Sequence, residues 1–273
     1  MISKFNIVLR STIGVEMDYP LVSRFVEHYQ RLGVHDFRFV IHSRSSTSER
    51  LGMVIQTLQE FGIEPAIMWN TDSWTTGDNA MKHREVIAEL PDETWVISAD
   101  IDEFHEYPLD LPLFILDLER GGIDYVKGRL TERIAKDFSL PDLDPMRSLA
   151  EQFPLQVRFG IGNPGKVMLH RKRVLTTPGH HGVEDSDRYC CFPEILKVMH
   201  YKWFGEVRRK YNDPTVMAHH SNTWEFSAYD QYIARNFNGL GRIRNRIRYS
   251  PAVASLANTL IGIKPFIKKA LGR

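Results

Sequence analysis

Two cysteines occur in 273 residues, and they are adjacent, Cys190 and Cys191. Sequence neighbours rarely meet disulfide geometry, so no disulfide framework is expected and a reducing compartment fits. Long apolar runs are missing too. No stretch approaches the roughly 18 residues of a membrane span, and Met1-Ile2-Ser3-Lys4-Phe5 runs straight into a strand-like segment, so the expected location is cytoplasmic. Neither Gly-x-Gly-x-x-Gly nor a Walker A loop follows the first strand. Arg10-Ser11-Thr12-Ile13-Gly14-Val15-Glu16 stands there instead, which disfavours a dinucleotide fold. Acidic residues vanish from Arg235 onward, where nine basic residues occur; residues 1–234 hold 26 basic against 34 acidic, a net of −8. Such asymmetry points to an anionic partner for the tail. There are no repeats or low-complexity segments, and 42% hydrophobic with 25% charged residues is ordinary globular composition with material for a core.

What is present centres on Trp95-Val96-Ile97-Ser98-Ala99-Asp100-Ile101-Asp102-Glu103-Phe104. Its apolar, β-prone start predicts a buried strand that stops at two carboxylates. In open α/β sheets ligands bind outside the carboxyl ends of the strands, where Asp100, Asp102 and Glu103 would sit. Alternation along an extended backbone would put Asp100 and Asp102 on one side and Ile101 on the other. Two hard oxygen ligands suit Mg²⁺ or Mn²⁺, usually held together with substrate phosphates. A turn or helix cap is the plain alternative for such acids.

Around this stretch the pattern alternates strand and helix. Strands are expected at Asn6–Leu9, Phe37–Ile41 and Ile63–Trp69, with helices from Pro20, from Ser48 and over about Asn79–Leu90. That β-α alternation predicts a mostly parallel sheet with covering helices. Further on, Leu111–Glu119 reads as a helix; Tyr125–Leu130, Val157–Ile161, Lys166–His170 and Ile195–Met199 read as strands, with a turn at Asn163-Pro164-Gly165.

These residues resemble the GT-A fold glycosyltransferases, in particular the family 2 and family 92 type, over most of residues 5–235. The carriers are Phe25-Val26-Glu27-His28-Tyr29 with Leu32-Gly33-Val34, the Asp-x-Asp-Glu-Phe motif ending at Phe104, Gly165-Lys166-Val167, Gly179-His180-His181 and His200-Tyr201-Lys202-Trp203. The resemblance implies a Rossmann-like nucleotide-diphospho-sugar transferase fold that moves a sugar, with UDP-sugar favoured, to a glycan or lipid-linked acceptor. Asp102 would bind Mn²⁺ or Mg²⁺ directly, Asp100 would contact ribose or metal, and His181 or His200 would complete the metal site. In this family Asn-Glu or Asp-Glu often follows the first strand; only Glu16 remains here. Arg10, Glu16, Lys82, Arg84, Lys202 and Arg208 or Arg209 are candidate donor contacts, and Glu132 or Asp185 a candidate base for an inverting transfer.

From Val253 the residues Val253, Leu256, Leu260, Ile263, Ile267 and Leu271 form one helical stripe, kinked by Gly262 and Pro265. With Arg242, Arg244, Arg246 and Arg248, it predicts a basic amphipathic extension, 236–273, that docks a 1–235 catalytic domain on anionic lipid at the inner membrane face. Packing of that stripe on the catalytic domain is the alternative; nucleic acid is not expected as a partner. Two other functions remain: a sugar-phosphate nucleotidyltransferase, whose usual Gly-rich basic loop is missing, and a non-catalytic carbohydrate or nucleotide-binding protein, which would not need paired metal carboxylates.

Overall fold

The computed structural model describes residues 6–72, 74–157 and 165–212, the last three as backbone only. The basic extension, Asn163-Pro164 and most of the expected strand at 157–161 lie outside the described residues. The chain divides into two compact units, Met1–Leu130 with Asn163–His200, and Thr131–Gly162 with Tyr201–Arg273.

The first unit is α/β. In chain order it holds β1 (Ile7–Gly14), α1 (Val15–Asp18), α2 (Val22–Arg31), β2 (Asp36–Ser43), α3 (Glu49–Glu60), β3 (Ile67–Asn70), α4 (Thr76–Glu85), β4 (Trp95–Ser98), β5 (Glu103–Glu106), α5 (Leu111–Arg120) and the start of β6 (Tyr125–Ile134). After the segment that belongs to the second unit, the first unit closes with β8 (Gly165–Arg171) and β9 (Leu196–His200). The sheet order is β3-β2-β1-β4-β8-β6-β9-β5. Its first four strands are parallel, the half that the β-α alternation encodes. β8 then pairs antiparallel with β4 and with β6, and β9 antiparallel with β5.

Amphipathic spacing explains the covering helices. α2 buries Val22, Phe25, Val26 and Tyr29, and Phe25 meets Phe39 and Phe104 at ring distances of 6.2 and 6.0 Å. Thr75 caps α4 by accepting from the Asp78 amide at 3.0 Å. Val86, Ile87 and Leu90 follow as turns rather than as the expected helix, and still pack on Val8, Val40 and Val96.

Three boundaries differ from expectation for identifiable reasons. β1 runs on to Gly14 instead of stopping at Leu9, pairing with β2 from Val8↔Asp36 to Gly14↔His42; its polar second half is paid for by side-chain hydrogen bonds that hydropathy does not register. β3 starts at Ile67, since Pro65 has no N–H for a ladder. β6 extends through Thr131-Glu132-Arg133, which therefore lie inside a strand and not at its end.

Gly128 of β6 is required by its neighbours. A Cβ there would collide with the Met168 side chain and come within 2.8 Å of Val198 Cγ2. Gly128→Ala is expected to cost about 1–3 kcal/mol by overpacking, read as a lower urea midpoint with an unchanged slope.

The second unit is built on the far half of β6, which pairs antiparallel with β7 (Leu155–Val157) through Glu132↔Val157 and Ile134↔Leu155. α6 (Leu149–Gln152) opens with a capping box between Ser148 and Glu151. Arg133 Nε donates to Phe153 O at 2.8 Å. The unit's described part ends in α7 (Gly205–Asn212). Among the described residues no helix is long and apolar enough to cross a membrane.

Candidate active site

Trp95, Val96, Ile97, Ser98 and Ala99 are all buried, so β4 carries the chain through the core directly to the acids. There the backbone turns. The Glu103 amide donates to the Asp100 carbonyl at 2.9 Å, so Asp100 and Asp102 do not alternate along an extended strand as expected. Ile101 is buried, and it anchors the turn between two partly exposed carboxylates.

β5 starts at Glu103 and places it opposite His200 of β9. That cross-strand pairing gathers Asp102, Glu103 and His200, whose ligand atoms all lie within 4.8 Å of one another. His200 Nε2 is 3.1 Å from Asp102 Oδ2. Two carboxylates and an imidazole form an O,O,N donor set that fits Mn²⁺ well and Mg²⁺ acceptably.

Lys166, at the start of β8, is the cation of this site. Its side chain is 3% exposed, with Nζ 2.8 Å from both Asp100 Oδ2 and Glu103 Oε1, and it donates to Gly179 O at 2.9 Å. Burial opposes the charge, but the two carboxylates hold the ammonium above the usual lysine range. Burial pushes the Asp100 carboxyl up, and Lys166 overrides it, leaving Asp100 below its ordinary value. Glu103 is more deeply buried, and burial raises it to about 8 despite Lys166, with Asp100 adding to the rise. One ammonium between two carboxylates thus keeps the outer one ionised while the inner one retains a proton near neutrality.

A second polar cluster surrounds Arg10, which is 3% exposed in mid-strand. Its Nε donates to Ser98 Oγ at 2.9 Å, Nη1 to His83 O at 3.1 Å and Nη2 to Thr176 Oγ1 at 2.9 Å. Proton positions are assigned from the bonding pattern. Thr12 donates to Asn79 Oδ1 at 2.6 Å, so His83 Nε2–H donates to Thr12 at 2.7 Å. His83 Nδ1 then accepts from His180 Nε2–H at 3.0 Å, and His180 Nδ1 accepts from the Thr176 hydroxyl at 3.1 Å. His170 Nδ1–H donates to Arg171 O at 2.7 Å, which leaves Nε2 to accept from Ser98 and Arg10. The His83, His170 and His180 rings of this network are all neutral.

Burial first, and the Arg10 charge second, depress His83 and His170 to about 3 and hold His180 well below the usual histidine range. The folded state therefore binds fewer protons than the unfolded state below pH 6.5. Stability from these groups is complete above pH 6.5 and is lost as pH falls toward their folded values. Each histidine is expected to contribute about 1.4 kcal/mol per pH unit in that window, so urea midpoints should drop steeply between pH 6.5 and 4.5. A flat profile there would contradict the neutral network.

The structure places the other expected residues as follows. Glu16 lies on α1 and accepts from the Arg44 amide at 2.9 Å. Lys82 pairs with Glu85 at 2.8 Å on α4, and Arg84 with Glu184 at 2.6 Å. The His181 ring bonds Gly165 O at 2.8 Å and stands outside the three-ligand group. Asp185 has a left-handed backbone, φ 50°, and a side chain 73% exposed, 3.7 Å from Arg188. In the second unit, buried Glu132 accepts from Trp203 Nε1 at 2.6 Å, Lys202 is buried, and Arg209 pairs with Glu206 at 2.5 Å. Asp100, Asp102 and His200 are thus brought together, while Glu16, Lys82 and Asp185 have partners elsewhere.

Lys166 and the His83–His180 pair were not expected at the site; Glu103 was expected at the ligand end of the strand, but not as a candidate metal ligand. The signal for Lys166 was a lone charge opening an apolar strand, Lys166-Val167-Met168-Leu169. The pairing of Glu103 with His200 was hidden because Glu103-Phe104-His105-Glu106 does not read as a strand.

No protein family and no curated protein matches the chain. Among solved structures, 4-diphosphocytidyl-2C-methyl-D-erythritol synthase is similar with a TM-score of 0.33 at 12% identity, over 62% of this chain and 77% of that one. S. aureus TarS, residues 1–349, is similar with a TM-score of 0.39 at 8% identity, over 91% of this chain and 73% of that one. Likenesses this distant assign neither family nor activity.

Proposed function

We propose that the chain is a metal-dependent glycosyltransferase of GT-A type, of the family 2 and family 92 pattern. It would move a sugar from a nucleotide diphosphate sugar, UDP-sugar favoured, to a glycan or lipid-linked acceptor with inversion. The observation that carries this is the Asp102, Glu103 and His200 group at the carboxyl end of β4, backed by buried Lys166. That end of a parallel sheet is where open α/β folds bind ligands.

Asp102, Glu103 and His200 would hold Mn²⁺ or Mg²⁺, which when bound supplies neutralisation of the charge on a departing diphosphate. Asp100, kept ionised by Lys166, accepts a hydrogen bond from a donor hydroxyl. Lys166 fixes the two carboxylates it bridges, so their geometry is set before substrate arrives. Asp185 is the better base of the two expected carboxylates, since it is exposed while Glu132 is buried on Trp203. The 236–273 extension, beyond a 1–235 catalytic domain, supports docking on an anionic membrane surface from the cytoplasmic side through its unbalanced positive charge.

The test is UDP release from a panel of UDP-sugars by the purified chain, with Mn²⁺ and with chelator. Metal-dependent release from one sugar is expected, and Asp185→Asn should lower its rate roughly 10²–10⁴-fold. No release from any nucleotide sugar, with acceptor glycans or lipids supplied, would contradict the proposal.

A further inference from the structure

A cavity of about 110 Å³ lies beside the Arg10 cluster, lined among others by Arg10, Arg84, Lys172, Thr176, Thr177 and His180. It contains no residue of the acidic group. Liquid water occupies about 30 Å³ per molecule, so the space suits a few waters or one compact oxyanion.

Its wall is mostly apolar, with Ala80, Ile87, Val174 and Leu175 among its lining, and the charge it carries is of one sign. Three cationic side chains line it and no carboxylate does. Arg84 and Lys172 have counterions, Glu184 at 2.6 Å and Asp92 at 2.9 Å, neither of which lines the cavity. Arg10 has none among the described residues: its partners are Ser98, His83 O, His170 and Thr176, all neutral. A guanidinium carries five N–H donors, and these contacts use four, leaving one on Nη1. Buried charges are ordinarily paired, because an uncompensated one loses its hydration without return. Burial and the neighbouring Arg84 together bring the Arg10 guanidinium down to about 9, which still leaves it charged at neutral pH.

We infer that this cavity is an anion site that takes a phosphoryl group, with the Arg10 guanidinium as the buried counterion and Arg84 and Lys172 as the other two cations of its lining. A phosphoryl group matches the planar guanidinium fork and tolerates several donors at once. Its source is either free inorganic phosphate or the terminal phosphate of a larger ligand. The site is separate from the metal-ligand group and does not depend on the transferase proposal. It does touch that group's scaffold: His180 lines the cavity, and the preceding residue, Gly179, holds Lys166 through its carbonyl.

The experiment is calorimetric titration of inorganic phosphate, and separately of phenyl phosphate, into the full chain in chelator, so that no divalent ion contributes. One-to-one binding of either is expected, with tighter inorganic phosphate marking a free-ion site and tighter phenyl phosphate marking a terminal-phosphate site. The pair Arg84→Gln with Lys172→Gln, neither of which hydrogen-bonds Arg10, should weaken binding at least tenfold. Arg10→Lys should weaken it further, and Asp102→Asn should leave it unchanged. Absence of binding to the native chain, or equal binding by the Arg84→Gln, Lys172→Gln variant, would overturn the inference.

Discussion

Replacing Lys166 by Met is expected to destabilise the chain by about 1–3 kcal/mol at pH 8, the scale for leaving hydrogen-bonding groups without their charged partner, since the Asp100 side chain is 44% exposed. The substitution keeps most of the aliphatic stem, so lost packing is a small part of the effect. What it removes is the one ammonium within 2.8 Å of two carboxylates. Glu103 then has no reason to ionise in its buried position, and Asp100 loses the neighbour that keeps it acidic. The sign of the pH dependence follows. At lower pH both carboxyls can protonate and the unpaired charge disappears, so the loss should shrink between pH 8 and pH 5. Urea unfolding at the two values checks this, and a uniform loss below about 1 kcal/mol would mean that Lys166 behaves as an ordinary surface pair.

Asp102→Asn is expected to weaken Mn²⁺ binding by roughly 100-fold or more, since loss of an outer-shell partner alone costs 10–100-fold. Asn keeps the shape and one oxygen, so a folding defect is not the expected cause. Native binding should itself depend on pH. Glu103 is protonated below about 8 in the metal-free protein, and a ligating carboxylate must be deprotonated. Each ion bound therefore releases a proton, and affinity should rise about tenfold per pH unit up to that value. Titrations of Mn²⁺ in two buffers of different ionisation enthalpy count the proton directly. Metal affinity indifferent to both the substitution and pH would remove Asp102 and Glu103 from the ligand set.

Much of the fold was legible because hydrophobic periodicity reports elements whose inner faces are apolar. α2, α3, α5 and β4 are such elements, and β2 and β8 stood where the pattern put them. It fails where a buried strand carries polar side chains. The second half of β1 buries Arg10 and Ser11, and β5 buries Glu103 and His105; neither reads as a strand, because their stability comes from hydrogen bonds and ion pairs with residues distant in sequence. The same cause hid part of the site. Asp100, Asp102 and His200 could be named from local motif and strand ends, but their assembly depends on the Glu103↔His200 register, and Lys166 reaches Asp100 across 66 positions. The Arg10 cluster is hidden more completely, since its members come from β1, α4, β4, β8 and the Thr176–His180 turn.

The central claim is that the acidic turn after β4 is a metal-dependent nucleotide-sugar site. The most direct measurement is calorimetric titration of UDP, GDP and their sugars into the purified chain, with and without Mn²⁺, beside Asp102→Asn. One nucleotide is expected to bind only when Mn²⁺ is present, and Asp102→Asn is expected to abolish this binding. Binding that is indifferent to Mn²⁺ and to Asp102→Asn, or no binding by any nucleotide, would contradict it and leave the turn as a structural junction between β4 and β5.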